Sequence, residues 1–188
     1  FGTWHYGDAR VRGGPNVCAV LEVAGAHDHL DLGYEACFAR EIEVGSAAPA
    51  FGAAIAELSL GLSLVVMRGI AENDRDFRNT RERWLHDGNV GYNTLFGKVV
   101  GYVGCGGLSV ELQRLLDPFG VRILGCDPFV SDEEMAARGI SRVELATLFR
   151  ASDVVYVLTA PTKSSKGMID RSLLELMQPT RALILISR

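Results

Sequence analysis

From Leu95 onward, short apolar runs alternate with segments of helical spacing, and a glycine-rich turn joins the first such run to the first such segment. These two observations predict an α/β protein built on a doubly wound parallel sheet, because apolar strands separated by helices are strands covered on both faces. The composition agrees. With 48% apolar and 22% charged residues the chain is an ordinary globular one, which excludes disordered and collagen-like classes. Its 188 residues suffice for one comfortable core or for one and a part domains.

In chain order, residues 17–23 form a β-prone run leaving into a tight loop, 32–40 read as a helix and 41–44 as a short strand. Residues 51–83 are helical in pattern. The first half is apolar nearly all round, so it is expected to be buried on most sides. The second half, 68–83, alternates five Arg with four acids, which predicts a solvated face laced with ion pairs rather than a nucleic-acid surface. Residues 98–103 are a strand, 107–119 a helix with Leu108, Leu112, Leu115 and Leu116 on its apolar face, and 121–126 a strand ending at Asp127-Pro128. Ser131-Asp132-Glu133-Glu134 and Ser141-Arg142-Val143-Glu144 each read as a capping box that opens a helix. Residues 153–158 are a near-continuous apolar strand, 170–177 a helix and 182–186 a further strand.

With 19 basic and 23 acidic residues the net charge is −4, which argues against nucleic acid or an anionic membrane as the main partner. Cys18, Cys37, Cys105 and Cys126 form no CxxC or CxxH pair; neither a disulfide scaffold nor a metal site is expected, and a reducing cytoplasm fits best. The longest apolar run, 47–67, carries Glu57 in its middle, which favours a buried helix over a membrane span. No signal peptide is legible. The start on Phe1 and the stop on Arg188 straight after an apolar strand read as a fragment at both ends.

The strand 98–103 runs into Gly104-Cys105-Gly106-Gly107-Leu108-Ser109 and then a helix, the geometry of a Rossmann-type dinucleotide site. Gly104 permits the sharp turn, Gly106 lets a pyrophosphate approach the backbone, and the N–H groups and dipole of the helix start hold the phosphate charge. Ser109 stands where a third glycine would serve helix–strand contact, so slightly looser packing is expected there. Asp127 lies 21 residues after Gly106, at the end of the next strand, where a carboxylate accepts from ribose hydroxyls and repels a 2′-phosphate; NAD is expected rather than NADP.

The stretch Leu95-Phe96-Gly97-Lys98-Val99-Val100-Gly101-Tyr102-Val103-Gly104-Cys105-Gly106 resembles the entry to the nucleotide domain of the D-isomer-specific 2-hydroxyacid dehydrogenases, the phosphoglycerate dehydrogenase-like family. So do Pro118-Phe119-Gly120-Val121-Arg122-Ile123-Leu124, Asp127-Pro128, and Ser152-Asp153-Val154-Val155. Thr162, Ser165, Gly167 and Ile169 are similar to the family's T-x-x-T-x-G-x-I segment, and Leu185-Ile186-Ser187-Arg188 to its I-N-x-x-R-G strand end. Upstream, Ala24-Gly25 with Leu30-Asp31 resembles the substrate-domain loop, and Ala54-Ile55-Ala56-Glu57 the start of the interdomain helix.

The resemblance implies the end of a flavodoxin-like substrate domain over residues 1–48 and a Rossmann domain over 49–188. It implies an NAD-dependent oxidoreductase moving a hydride between NAD(H) and a 2-hydroxy or 2-keto acid. Arg188 matches the catalytic arginine that grips and polarises the substrate, and the backbone of Ala24 and Gly25 matches the loop that holds its carboxylate. The cofactor positions are Gly104, Gly106, Gly107, Leu108, Ser109, Asp127, Pro128, Thr159, Thr162 and Ser187. Leu158 and Ala160 replace the family's usual His and Pro. The family's Glu and acid/base His lie beyond the position of Arg188, and none of His5, His27, His29 and His86 matches the latter, so this chain is expected to bind cofactor without turnover. A homodimer is expected through the nucleotide domain, with the helix over 51–67 as a candidate surface. An NAD(H)-sensing corepressor-like protein on the same fold, or a related Rossmann enzyme of the formate or alanine dehydrogenase kind, are the alternatives.

Overall fold

The computed structural model describes residues 14, 16–22, 34–81, 93–160, 162 and 165–186. The chain divides into two compact units, Phe1–Phe51 and Gly52–Arg188.

In the first unit, β1 (Ala19–Glu22) pairs in parallel with β2 (Glu43–Ser46), Ala19 opposite Glu43 and Glu22 opposite Ser46. The intervening helix α1 (Tyr34–Ala39) buries Ala36 and Cys37 against Ile42. Its last turn closes through Glu41, a non-glycine residue at φ 55°, with Ile42 N donating to Cys37 O at 2.9 Å. That closure uses Glu41 and Ile42, and β2 therefore begins later than the expected 41–44.

The second unit is a five-stranded, all-parallel sheet. Its strands are β3 (Val99–Val103), β4 (Arg122–Cys126), β5 (Ile140–Arg142), β6 (Val154–Val157) and β7 (Ala182–Leu185), in the order β5-β4-β3-β6-β7. The period-two alternation of the apolar strands sorts the core into two layers. Val100, Tyr102, Val154, Tyr156, Ala182 and Ile184 face one layer with Leu112, Leu116 and Met135. Val103 and Val155 face the other, with Leu148 and Phe149. The sheet is thus doubly wound, as the alternating pattern predicts. Helix α4 (Gly107–Leu116) and α5 (Asp132–Ala137) supply the first layer; α6 (Leu145–Ala151) and the short α7 (Arg171–Leu174) supply the second. A Cβ on Gly101 would come within 2.5 Å of Leu148 Cδ2 and of Ser152 Oγ, so β3 can carry only glycine beneath α6.

At the amino edge of the sheet Asp153 stitches three strands. Its Oδ2 accepts from Val99 N at 2.9 Å, its own N–H donates to Val99 O at 2.7 Å, and its carbonyl accepts from Ala182 N at 3.0 Å. Arg181 Nη1 donates to the neighbouring Ser152 carbonyl at 2.6 Å.

Two larger expectations fail here, beside the shifts in element boundaries. Helix α2 (Ala48–Met67) is not buried on most sides. It turns the small residues Gly52, Ala56, Ser59 and Ser63 inward together with Met67, flanked by the partly buried Leu60 and Leu64, while Phe51, Leu58, Leu62 and Val66 are exposed. The reason lies on the sheet: β3 and β6 present Tyr102 and Tyr156, both fully buried with their rings edge-on at 6.0 Å, and only a small helix face fits over them. Ser63 Oγ lies 2.6 Å from Tyr156 OH and donates to Ser59 O at 2.7 Å, so the tyrosine hydroxyl is the donor of the first bond. By length and composition alone α2 could cross a membrane, but its inward face is taken up by the sheet. After Gly69 at φ 58°, α3 (Ile70–Arg78) carries the charged stretch; Arg78 pairs with Asp74 at 2.9 Å, whereas Asp76 is buried rather than solvated.

The second failure concerns Ser141 and Arg142, which do not open a helix. They belong to β5, whose Ile140 is buried opposite Ile123, and Glu144 is the residue that precedes α6. Sheet pairing outweighs the local capping pattern. Ser131 does cap α5, accepting from Glu134 N at 3.1 Å. Helix α4 ends at Leu116 and tightens into a 3-10 turn over Asp117–Phe119, which contains Pro118 and closes at Gly120, φ 57°. Helix α7 is only four residues long, opened by Asp170 accepting from Leu173 N at 3.1 Å.

Candidate functional site

The order β5-β4-β3-β6-β7 reverses direction between β3 and β6, and ligands of open α/β sheets lie outside the carboxyl ends of the strands at such a point. The glycine turn leaves β3 there. Gly104 has φ 96°, and a Cβ on it would lie 2.9 Å from the backbone nitrogen of Thr159, so both its conformation and its neighbour demand glycine. Gly106 and Gly107 differ: a Cβ on either would meet nothing within 4 Å. That open space lies at the start of α4, where Gly106 provides no side-chain cap. Among the described residues the amides of Gly107 and Leu108 have no acceptor, as expected for the first turn of a helix. The start of α4 is therefore an uncapped, Cβ-free cradle for an anion, and it fits a pyrophosphate.

Ser109 is fully buried, and its hydroxyl donates to Gly106 O at 2.6 Å. The extra polar atom of Ser109 is thereby satisfied within the turn.

Asp127 follows β4 beside this turn. Its Oδ2 accepts from Cys105 N at 2.7 Å and its Oδ1 from Phe129 N at 2.8 Å. Each carboxylate oxygen keeps a second lone pair, so ribose hydroxyls can still be bound. The aspartate thus braces the glycine turn as well as presenting a charge, a role the spacing alone did not reveal. Pro128 beside it is exposed.

Two arginines that no motif singled out complete the frame. Arg138 Nη1 donates to Cys105 O at 2.8 Å while its other arm meets the Glu134 carboxylate. Arg142 donates to Asp127 O at 2.6 Å and to Val130 O, and pairs with Asp132. In the sequence Arg142 reads only as part of a capping box and Arg138 carries no motif; their targets lie 15 and 33 residues away. The Cys105 thiol is buried, and that burial, reinforced by the charge of Asp127, pushes it up to about 12. It is a packed thiol and no nucleophile. Cys126 packs against the other core layer, and neither thiol is in a disulfide.

Beyond β6, Leu158 N continues the ladder to Val103 O at 2.8 Å, and Thr159 lies against Gly104. Thr162 shares this loop. Its N–H donates to Ser165 Oγ at 2.7 Å, and Ser165 Oγ donates to Ala160 O at 2.8 Å, a closed turn that fixes the loop. Of the predicted positions, Gly104, Asp127 and Thr159 converge through these contacts, and Gly106, Gly107, Leu108 and Ser109 continue from them. Ser187, Arg188, Ala24, Gly25 and the four histidines lie outside the described residues. Among the described residues no cluster of His, Cys, Asp or Glu could hold a metal.

Comparison with known proteins agrees with this geometry. A family model described as "D-isomer specific 2-hydroxyacid dehydrogenase, NAD binding domain" matches residues 60–188. D-lactate dehydrogenase of Escherichia coli (strain K12) is 31% identical over 126 residues, covering 66% of this chain and 37% of that protein. D-3-phosphoglycerate dehydrogenase of Archaeoglobus fulgidus is 30% identical over 151 residues, covering 80% of this chain and 28% of that protein. The crystal structure of a phosphoglycerate oxidoreductase from Rhizobium etli superposes with a TM-score of 0.76 at 28% identity, covering 90% of this chain and 54% of that one. The chain spans about half or less of the length of these relatives.

Proposed function

Since this chain belongs to the D-isomer-specific 2-hydroxyacid dehydrogenase family through its NAD-binding domain, we propose that it serves an oxidoreductase transferring a hydride between NAD(H) and a 2-hydroxy or 2-keto acid. The observation that carries this reading is the uncapped, Cβ-free start of α4 with Asp127 braced beside it at the switch point of the sheet. NAD(H), when bound, supplies the hydride chemistry of its nicotinamide ring.

The chain's own residues bind and orient. The amides of Gly106, Gly107 and Leu108 hold the pyrophosphate, Asp127 accepts from the ribose, and Pro128 flanks it. Thr159 and Thr162 belong to the loop after β6, and the resemblance assigns Ser187 to the cofactor as well. Arg188, always charged and able to grip a carboxylate with two parallel bonds, orients the acid substrate, and the resemblance assigns Ala24 and Gly25 to substrate as well. None of His5, His27, His29 and His86 takes the proton-transfer role, so these 188 residues bind cofactor without turnover. We further assign the exposed stripe Phe51, Leu58, Leu62 and Val66 of α2 to contact with a second copy rather than to lipid or nucleic acid. The four cysteines, none of them in a disulfide, support a reducing cytoplasm as the place of work.

Titration with NADH, followed by an assay of NADH oxidation against a panel of 2-keto acids, tests the reading. Saturable NADH binding without turnover is expected. Failure to bind NADH overturns the function, and saturable turnover overturns the assignment of proton transfer to groups outside these residues.

A further inference from the structure

Arg138 is held at both ends and aimed at one atom. Its carbonyl accepts from Gln113 Nε2 at 2.6 Å, its N–H donates to Met135 O at 3.1 Å, and one arm of the guanidinium meets the Glu134 carboxylate. The other arm donates at 2.8 Å to the carbonyl of Cys105, the residue between Gly104 and Gly106. The side chain is about a quarter exposed, so this bond is partly shielded from water.

That carbonyl belongs to the peptide whose nitrogen is Gly106. In a trans peptide the C=O and the N–H point to opposite sides. A guanidinium that fixes the Cys105 oxygen therefore fixes the Gly106 N–H in the opposite direction. The preceding peptide is fixed separately, because Asp127 Oδ2 accepts from Cys105 N at 2.7 Å. Two charged groups of opposite sign thus hold the two successive peptides of the turn. Such fixing matters because a peptide flanked by glycine flips at little steric cost, and a flip here would turn a carbonyl oxygen toward the phosphates. A charge-assisted bond to the carbonyl also polarises the amide and strengthens its N–H as a donor.

We propose that Arg138 is a positioning residue that orients the Gly106 amide toward the cofactor pyrophosphate through the Cys105 carbonyl. The proposal rests on the NAD-binding reading above. The space at Gly106, where a Cβ would meet nothing within 4 Å, is where that amide would deliver its bond.

The test compares ligands with and without a pyrophosphate on the full chain. NADH, ADP and adenosine are titrated against the wild type, Arg138→Met and Arg138→Lys, with folding checked by circular dichroism. For Arg138→Met, Kd for NADH and for ADP is expected to rise about tenfold, the size of a lost charge-assisted bond, with adenosine unchanged. Arg138→Lys restores the charge but not the fixed two-armed geometry, so recovery of less than half of the loss in binding free energy is expected. Full recovery with lysine, an equal loss for adenosine, or no loss at all overturns the proposal. Should Arg138→Met not fold, Glu134→Ala, which removes only the tether of the second arm, is expected to give a smaller loss of ADP binding with adenosine again unchanged; no such loss overturns the proposal. A wild type that binds none of the three ligands overturns the NAD-binding reading itself, whereas a wild type that binds NADH beside an Arg138→Met protein that binds it equally well overturns this inference alone.

Discussion

Asp127 carries two duties in one side chain, and they can be separated. Removing the carboxylate takes away the ribose acceptor and the tie to Cys105 N together. Asp127→Ala is therefore expected to raise Kd for NADH about tenfold or more and to narrow the preference over NADPH, read by fluorescence titration with both nucleotides. An unchanged NADH-to-NADPH ratio removes Asp127 from the ribose and leaves it as a brace alone. At this scale the sequence was partly legible. The spacing from Gly106 to Asp127 located the acid, and the Gly104 turn was readable because a left-handed φ beside a close backbone leaves glycine as the residue that fits. What the spacing could not convey is that Asp127 spends one bond on each of two backbone amides, or that Arg138 reaches Cys105. Those partners are set by tertiary placement and leave no trace in local pattern.

Among elements, the central strands β3, β4 and β6 were the most legible, since each is a nearly continuous apolar run, whereas the edge strand β5, Ile-Ser-Arg, carried no such signal. Helix boundaries followed where caps were chemical, as at Ser131, and failed where pairing overrode them, as at Ser141 and Arg142. Helix α2 shows why apolarity alone misleads: its fully buried positions are mostly small residues, with Leu60 and Leu64 only flanking them, because the tyrosines beneath need room. At the amino edge Asp153 joins β3, β6 and β7, and its loss strands a partly buried amide. Asp153→Ala is expected to lower stability by about 1–3 kcal/mol, measured as a lower urea midpoint with an unchanged slope, and cofactor affinity at the opposite edge of the sheet should stay the same. A midpoint that does not move would mean that water replaces the carboxylate at Val99 N without penalty.

For the molecule as a whole, the exposed stripe on α2 decides the state of association. Leu58→Glu combined with Leu62→Glu is expected to convert a dimer into a monomer by light scattering, with unchanged circular dichroism, because two charges cannot be buried in an apolar contact. A wild type that is already monomeric at micromolar concentration would end the assignment of this stripe to a second copy. The order of the strands has a further consequence, for how the sheet is made. β3, β4 and β5 are neighbours along the chain and can form early, whereas β3 meets β6 through the pairing of Val100 with Val154, a closure of 54 residues. Long closures are slow to form and make the natural seam for partial opening. The pair with this long closure is the pair whose ends carry Gly104 and Thr159. The braces of the cradle, Asp127 and Arg138 on Cys105, belong to the half-sheet that can form first, whereas the wall that Thr159 places against Gly104 arrives only with that long closure, so the nucleotide site is completed in two stages.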